Sequence, residues 1–110
     1  MTNINRNIGH NRGNRRVWIE GKSLANENWN KGTRYTKQIT ETGQARIVLV
    51  RDDNGPLKIA GGENRPVIDL CGAYVGKALN GFEKVSVVIT AERIIIKGAV
   101  CAALLIQLAA

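Results

Sequence analysis

The run from Arg65 to Lys97, RPVIDLCGAYVGKALNGFEKVSVVITAERIIIK, leaves few choices for a chain that carries it. Pro66 to Leu70 is apolar enough for a buried strand, and Tyr74 to Leu79 has room only for a short helix. Val85, Val87 and Ile89 then alternate with Lys84, Ser86, Val88 and Thr90, the period-two pattern of a strand with distinct faces. The Ala91-Glu92 corner returns the chain through Ile94, Ile95 and Ile96 as the hairpin partner. Strand, short helix, strand and return strand predict a mainly β fold with short helices.

The first half of the chain repeats this order. Val17 and Ile19 point one way, with Trp18 and Glu20 opposite, as in a half-exposed strand that ends at Gly21. Lys22 to Asn28 gives a turn of helix around Leu24, and Trp29 precedes a Lys31-Gly32-Thr33 turn. Tyr35, Lys37 and Ile39 form the next strand, and the Glu41-Thr42-Gly43 corner leads into Arg46 to Val50. Val17-Trp18-Ile19-Glu20-Gly21 thus matches Ile68-Asp69-Leu70-Cys71-Gly72, Leu24 matches Val75, and Asn28-Trp29 matches Gly81-Phe82. The spacing is about fifty residues throughout, and self-similarity at a fixed period points to duplication, although any two strand–helix–hairpin units look alike. The expected ordered domain spans 17–97, with halves 17–50 and 65–97. Between them Arg51 to Asn64 reads as a turn-rich linker in which Leu57 to Ile59 adds a short edge strand.

Both flanks differ from this domain. Residues 1–16, MTNINRNIGHNRGNRR, hold Arg6, Arg12, Arg15 and Arg16 and no acidic residue, and predict an arm disordered when free. Such an arm either lies along a phosphate backbone or serves only as a solubilising tail. Residues 98–110, GAVCAALLIQLAA, have Gln107 as their only polar side chain and predict an apolar helix. That segment is shorter than the roughly 20 residues of a membrane span. A helix apolar on every side needs cover, so Leu104 and Leu105 are expected at a subunit interface or over an open sheet face. Membrane contact and a tail without a role are the other readings. Cys71 and Cys101 sit among apolar residues and read as reduced core thiols of a cytoplasmic protein. The N-terminus lacks the apolar run of a signal peptide.

The order strand, glycine, short helix, Gly/Asn-aromatic, turn glycine, hairpin resembles the swapped-hairpin barrel of the AbrB and MazE transition regulators. It is nearer the SymE-type branch, with Glu20-Gly21, Leu24, Asn28-Trp29-Asn30-Lys31-Gly32 and Tyr35 onward at the positions of that pattern. Arg16-Val17-Trp18-Ile19-Glu20-Gly21, Gly32-Thr33-Arg34-Tyr35 and Pro66-Val67-Ile68-Asp69-Leu70 also resemble the small domain beside some phage and plasmid cytosine-5 DNA methyltransferases. The resemblance covers about residues 16 to 97 in short motifs. Asn28 stands in place of the usual glycine, the second half lacks a turn glycine after Phe82, and no methyltransferase domain follows. It implies two pseudo-repeated units forming an AbrB-like small barrel, to which the 98–110 helix is added.

The 16 Lys and Arg against 9 Asp and Glu, a net charge of +7, suit an anionic partner, most commonly nucleic acid. A merely basic soluble surface is the plainer alternative. No catalytic set is visible, because His10 is the only histidine and no nucleophile–base pair accompanies it. Neither a phosphate-cradling glycine motif nor a metal-ligand spacing is present, so no cofactor or metal is expected. The resemblance leaves a SymE-type toxin acting on nucleic acid as the enzymatic alternative.

The expected function is binding, of DNA rather than RNA, by a non-enzymatic protein of phage or mobile-element type. The resemblance puts Arg34, Lys37, Arg46, Lys77 and Lys84 on the contacting face, joined by Arg12, Arg15 and Arg16 of the arm. A homo-oligomer, with a dimer favoured, would enlarge a core that few aromatics supply. The competing class is a protein–protein module that blocks a host defence nuclease, of anti-CRISPR or anti-restriction type. Its anchors would be Trp18 and Trp29.

Overall fold

A computed structural model describes residues 1–39 and 45–99. It is mainly β, with two antiparallel sheets that do not close into a barrel. The elements are β1 (Thr2–Asn7), β2 (Gly9–Asn11), β3 (Asn14–Glu20), α1 (Lys22–Ala25), β4 (Arg34–Ile39) and β5 (Arg46–Arg51). They continue as β6 (Leu57–Lys58), β7 (Ala60–Gly62), β8 (Arg65–Cys71), α2 (Ala73–Ala78), β9 (Lys84–Ile89) and β10 (Arg93–Ala99). One sheet has the order β1-β9-β10-β5-β4-β6 and the other β2-β3-β8-β7. Each short helix carries the chain from the smaller sheet to the larger, α1 between β3 and β4 and α2 between β8 and β9.

The alternation seen in the sequence decides which face is buried. Val17 and Ile19 of β3, Ile68 and Leu70 of β8, and Val85, Val87 and Ile89 of β9 all point into one core. Ile94 and Ile96 of β10 and Ile47 and Leu49 of β5 join them, with Leu24, Val75 and Leu79 contributed by the helical segments. Burying such side chains contributes about 1.5–3 kcal/mol each, enough for this aliphatic core to dominate folding.

Each sheet has an antiparallel pair at its centre, and the two central pairs match. β3 pairs with β8 about the Trp18–Asp69 pair, and β5 pairs with β10 about Val48–Ile95. Outside these, β2 flanks β3 as β7 flanks β8, and β1 flanks β9 as β6 flanks β4. Asn28 and Gly81, each just ahead of an aromatic, both take positive φ, 62° and 87°. Asn is among the residues other than Gly that accept this region most readily.

The basic arm is not disordered. Thr2–Asn7 adds to the larger sheet in register with β9, from Thr2–Ile89 to Asn7–Lys84. Ile4 packs against the core, and Ile8, at the corner between β1 and β2, is buried, with its N–H donating to Glu83 O at 2.8 Å. Arg12 and Gly13 both have positive φ, 52° and 81°, forming the two-residue turn that folds β2 onto β3. Two isoleucines and backbone pairing therefore order a segment whose composition alone reads as solvated. The linker is likewise more ordered than its glycines imply, because β7 pairs with β8.

Other expectations change in the same way. Cys71 is a free thiol but half-buried at the end of β8, on the strand face opposite the core residues Ile68 and Leu70, so it is not a core thiol. Gly98 and Ala99 end β10 rather than starting a helix. The rest of the expected apolar helix, with Cys101, Leu104 and Leu105, lies outside the described residues, as does the 41–43 corner. Among the described residues no helix is long and apolar enough to cross a membrane.

Candidate nucleic-acid interface

A cleft of about 480 Å³ opens where the chain leaves the larger sheet at the end of β1 and enters the smaller one at β2. It is lined by Asn5, Arg6, Asn7, Gly9, His10, Arg16, Trp18 and Lys84. The lining holds two arginines, a lysine, a histidine and two amides, and no carboxylate. β1 brings Arg6, β3 brings Arg16 and Trp18, and β9, through its pairing with β1, brings Lys84 alongside Asn7.

The floor is held rigidly. Because Val17 and Ile19 are buried, strand alternation turns Trp18 outward, where it is half-buried. The Arg16 guanidinium lies 4.3 Å from the centroid of the Trp18 ring. Its Nε and Nη2 donate to Asp69 Oδ1 and Oδ2 at 2.8 and 3.0 Å, a bidentate pair. That hydrogen bonding raises the Arg16 pKa further above its ordinary value. Arg6 Nε donates to the Trp18 carbonyl at 3.2 Å and so ties β1 to β3. Further along the same face, Arg65 donates twice to Glu20, at 3.1 and 3.0 Å. Arg65 first, and Trp18 second, hold the Glu20 carboxyl below the usual carboxylate range.

Arg16 is thus partly neutralised by Asp69, whereas among the described residues Arg6 and Lys84 enter no ion pair. Those two cations are the ones the cleft offers to an anion without an ion-pair partner of their own.

Of the residues expected from sequence, the cleft unites Arg16, Lys84 and Trp18. Arg12 sits exposed at the β2–β3 turn and Lys77 exposed on α2, both outside it. Several others are committed elsewhere. Arg15 turns inward, its Nη2 donating to Phe82 O and lying 3.8 Å from Glu83, with 19% of its side chain exposed. Arg34 Nη1 donates to Gly55 O at 3.0 Å and holds the 52–55 turn. The Lys37 ammonium lies 3.6 Å over the Tyr74 ring, on the same strand face as the buried Tyr35. Arg46 is half-buried at the start of β5.

Trp29 is not a surface anchor. Its relative exposure is 0%, and Nε1 donates to Thr90 O at 2.7 Å. Arg51 stacks on it at 4.8 Å and donates to the carbonyls of Glu27, Asn28 and Ala91.

Asn5, Arg6, Asn7 and His10 were not expected at a site. The signal that could have found them was the pair Ile4 and Ile8 together with the Arg12-Gly13 turn, which orders this segment against the sheets. Among the described residues no three His, Cys, Asp or Glu side chains converge as metal ligands would. In comparisons with known proteins, no family model matches the chain, and neither does any characterised protein or solved structure.

Proposed function

We propose that the chain is a nucleic-acid-binding protein, directed to DNA, that meets phosphates with the cations of the β1–β3 cleft. The observation that carries this reading is the composition of the cleft: Arg6, Arg16 and Lys84 converge with His10 and two asparagines, no carboxylate is among the lining residues, and of the three cations only Arg16 is ion-paired among the described residues, to Asp69. A phosphate entering there exchanges water and counterions for charge-assisted hydrogen bonds. Binding is favoured over catalysis because His10 has neither a carboxylate nor a nucleophile beside it in the lining.

The same reading includes duplication of one unit within the chain. It is supported by the two matching central pairs, by the parallel flanking strands, and by a long-range contact made twice. Ile8 and Ile59 are both buried, and their N–H groups donate to Glu83 and Thr33, each just ahead of the equivalent strands β9 and β4. Duplication would bring two halves of an AbrB-like arrangement together inside a single chain.

Gel-shift titration of duplex and single-stranded DNA at two salt concentrations tests the function. Binding that weakens steeply as salt rises is the expected result. Absence of binding at ~50 mM salt, where phosphate contacts are strongest, would overturn it. The interaction-module alternative, an inhibitor of a host defence protein, would then gain, although the burial of Trp29 leaves it one of its two expected tryptophan anchors, Trp18.

A further inference from the structure

We infer that the cleft takes an unpaired nucleotide of a single strand, its base against the Trp18–Arg16 platform and its phosphate among Arg6, His10 and Lys84. This inference rests on the nucleic-acid reading above and narrows it to one kind of ligand.

Trp18 is a large outward-facing ring that apolar packing does not account for. Its neighbours along β3, Val17 and Ile19, enter the core, while Trp18 itself is covered by a guanidinium 4.3 Å away. That guanidinium is locked by Asp69, the residue directly paired with Trp18 across β3 and β8. Indole and guanidinium planes both stack on bases, and every base has a π-face to offer. Preorganisation of the guanidinium by its two hydrogen bonds to Asp69, over the Trp18 ring, removes much of the ordering cost of using it.

The remaining lining fits the rest of a nucleotide. Arg6 and Lys84 supply charge for a phosphate, and Asn5 and Asn7 each carry an amide donor and acceptor suited to a base edge. A cleft of about 480 Å³ is in the size range that encloses a small ligand. A duplex, whose bases are stacked and paired, could only lie across its mouth. An acidic peptide would satisfy the cations but leave the stacking platform unused.

The set is also built only once. At the positions corresponding to His10, Arg16 and Trp18, the second half has Gly61, Val67 and Asp69. At the position corresponding to Lys84 the first half has Arg34, which is committed to the Gly55 carbonyl. The cation–aromatic–amide combination is therefore a property of one end of the molecule, not a by-product of the strand pattern.

Intrinsic fluorescence of the full chain tests the inference, because Trp29 is buried and Trp18 is the indole that a ligand can reach. Oligo(dT) and oligo(U) are titrated at low salt, with inorganic phosphate, thymidine monophosphate and a duplex as the other arms. Saturable quenching by a single strand of either sugar is expected, much stronger than by the duplex and absent in Trp18→Phe at 295 nm excitation. Trp18→Ala should weaken single-strand binding about 5- to 150-fold, the range set by loss of one stacked base. Lys84→Glu, at an exposed site away from the β3–β8 pair, should also weaken it and leaves that pair intact should Trp18→Ala fold poorly. DNA binding without Trp18 quenching and insensitive to Lys84→Glu would overturn the cleft assignment and leave the broader function standing. Equal quenching by duplex, or equal competition by inorganic phosphate and thymidine monophosphate, would overturn the unpaired-nucleotide assignment. Failure of every nucleic acid to bind would overturn both.

Discussion

Replacing Trp29 separates the part of the molecule that folds from the part that binds. Its ring is fully buried, meets Tyr35 edge-on at 6.1 Å and 63°, and carries the Arg51 guanidinium at 4.8 Å. Its Nε1 bonds the Thr90 carbonyl at the end of β9. Trp29→Phe keeps an aromatic ring against Tyr35 and Arg51 but removes the donor, and an acceptor left without its partner costs about 1–3 kcal/mol. Thr90 is half-buried, so water can reach its surroundings and the lower end of that range applies. Trp29→Ala removes the ring as well, at about 3–5 kcal/mol. Against a total stability of about 5–15 kcal/mol, the first variant should fold and the second should be marginal.

Urea unfolding followed by circular dichroism measures both, with equal m values showing that the change lies in stability. Thermal melts should show Trp29→Phe lower by about 4–8 °C for each kcal/mol lost. DNA affinity of the folded Phe variant should equal that of the parent, because Trp29 does not line the cleft. Destabilisation below about 0.5 kcal/mol for Trp29→Ala, the scale of an ordinary surface substitution, would refute the burial argument. So would a Phe variant that is fully stable but cannot bind.

Three further outcomes are expected. Lys84→Ala should reduce the slope of log affinity against log salt by about 0.7 on single strands, the share of one phosphate contact, measured by fluorescence titration from 50 to 200 mM salt. Gly55→Ala should destabilise by about 1–3 kcal/mol through overpacking, because a methyl group there would overlap the Tyr35 backbone; denaturant unfolding checks it. Glu20 has a depressed pKa, so its contribution to stability is present above the ordinary carboxylate range and is lost as pH falls through the lower folded value. Glu20→Gln should therefore flatten the fall in melting temperature on acidification through and below about pH 4.3, and an unchanged acid limb would exclude the Arg65 pairing as its cause.

Local pattern was enough for the core strands. Val85-Val87-Ile89 and Val17-Ile19 alternate so regularly that the buried face could be read from spacing, and Leu24 and Val75 mark the inward sides of two very short helical segments. It was not enough for residues 1–16. Their composition is that of a solvated arm, and segments distant in sequence, β9 above all, supply the hydrogen-bond partners and apolar surface that order Thr2–Asn7. The same distance hid the site. Arg6, Arg16 and Lys84 are brought together by pairings across the whole chain, and which cations remain free depends on where carbonyls such as those of Phe82 and Gly55 fall.

The identity of the core strands, the alternation of their faces and the excess of positive charge follow from the order of residues alone, because none of them needs a partner distant in the chain. Tertiary structure decided that the chain forms two open sheets, that Trp29 is enclosed, and that a handful of cations share one cleft. Those outcomes depend on contacts between segments far apart in the chain, and no local spacing encodes them.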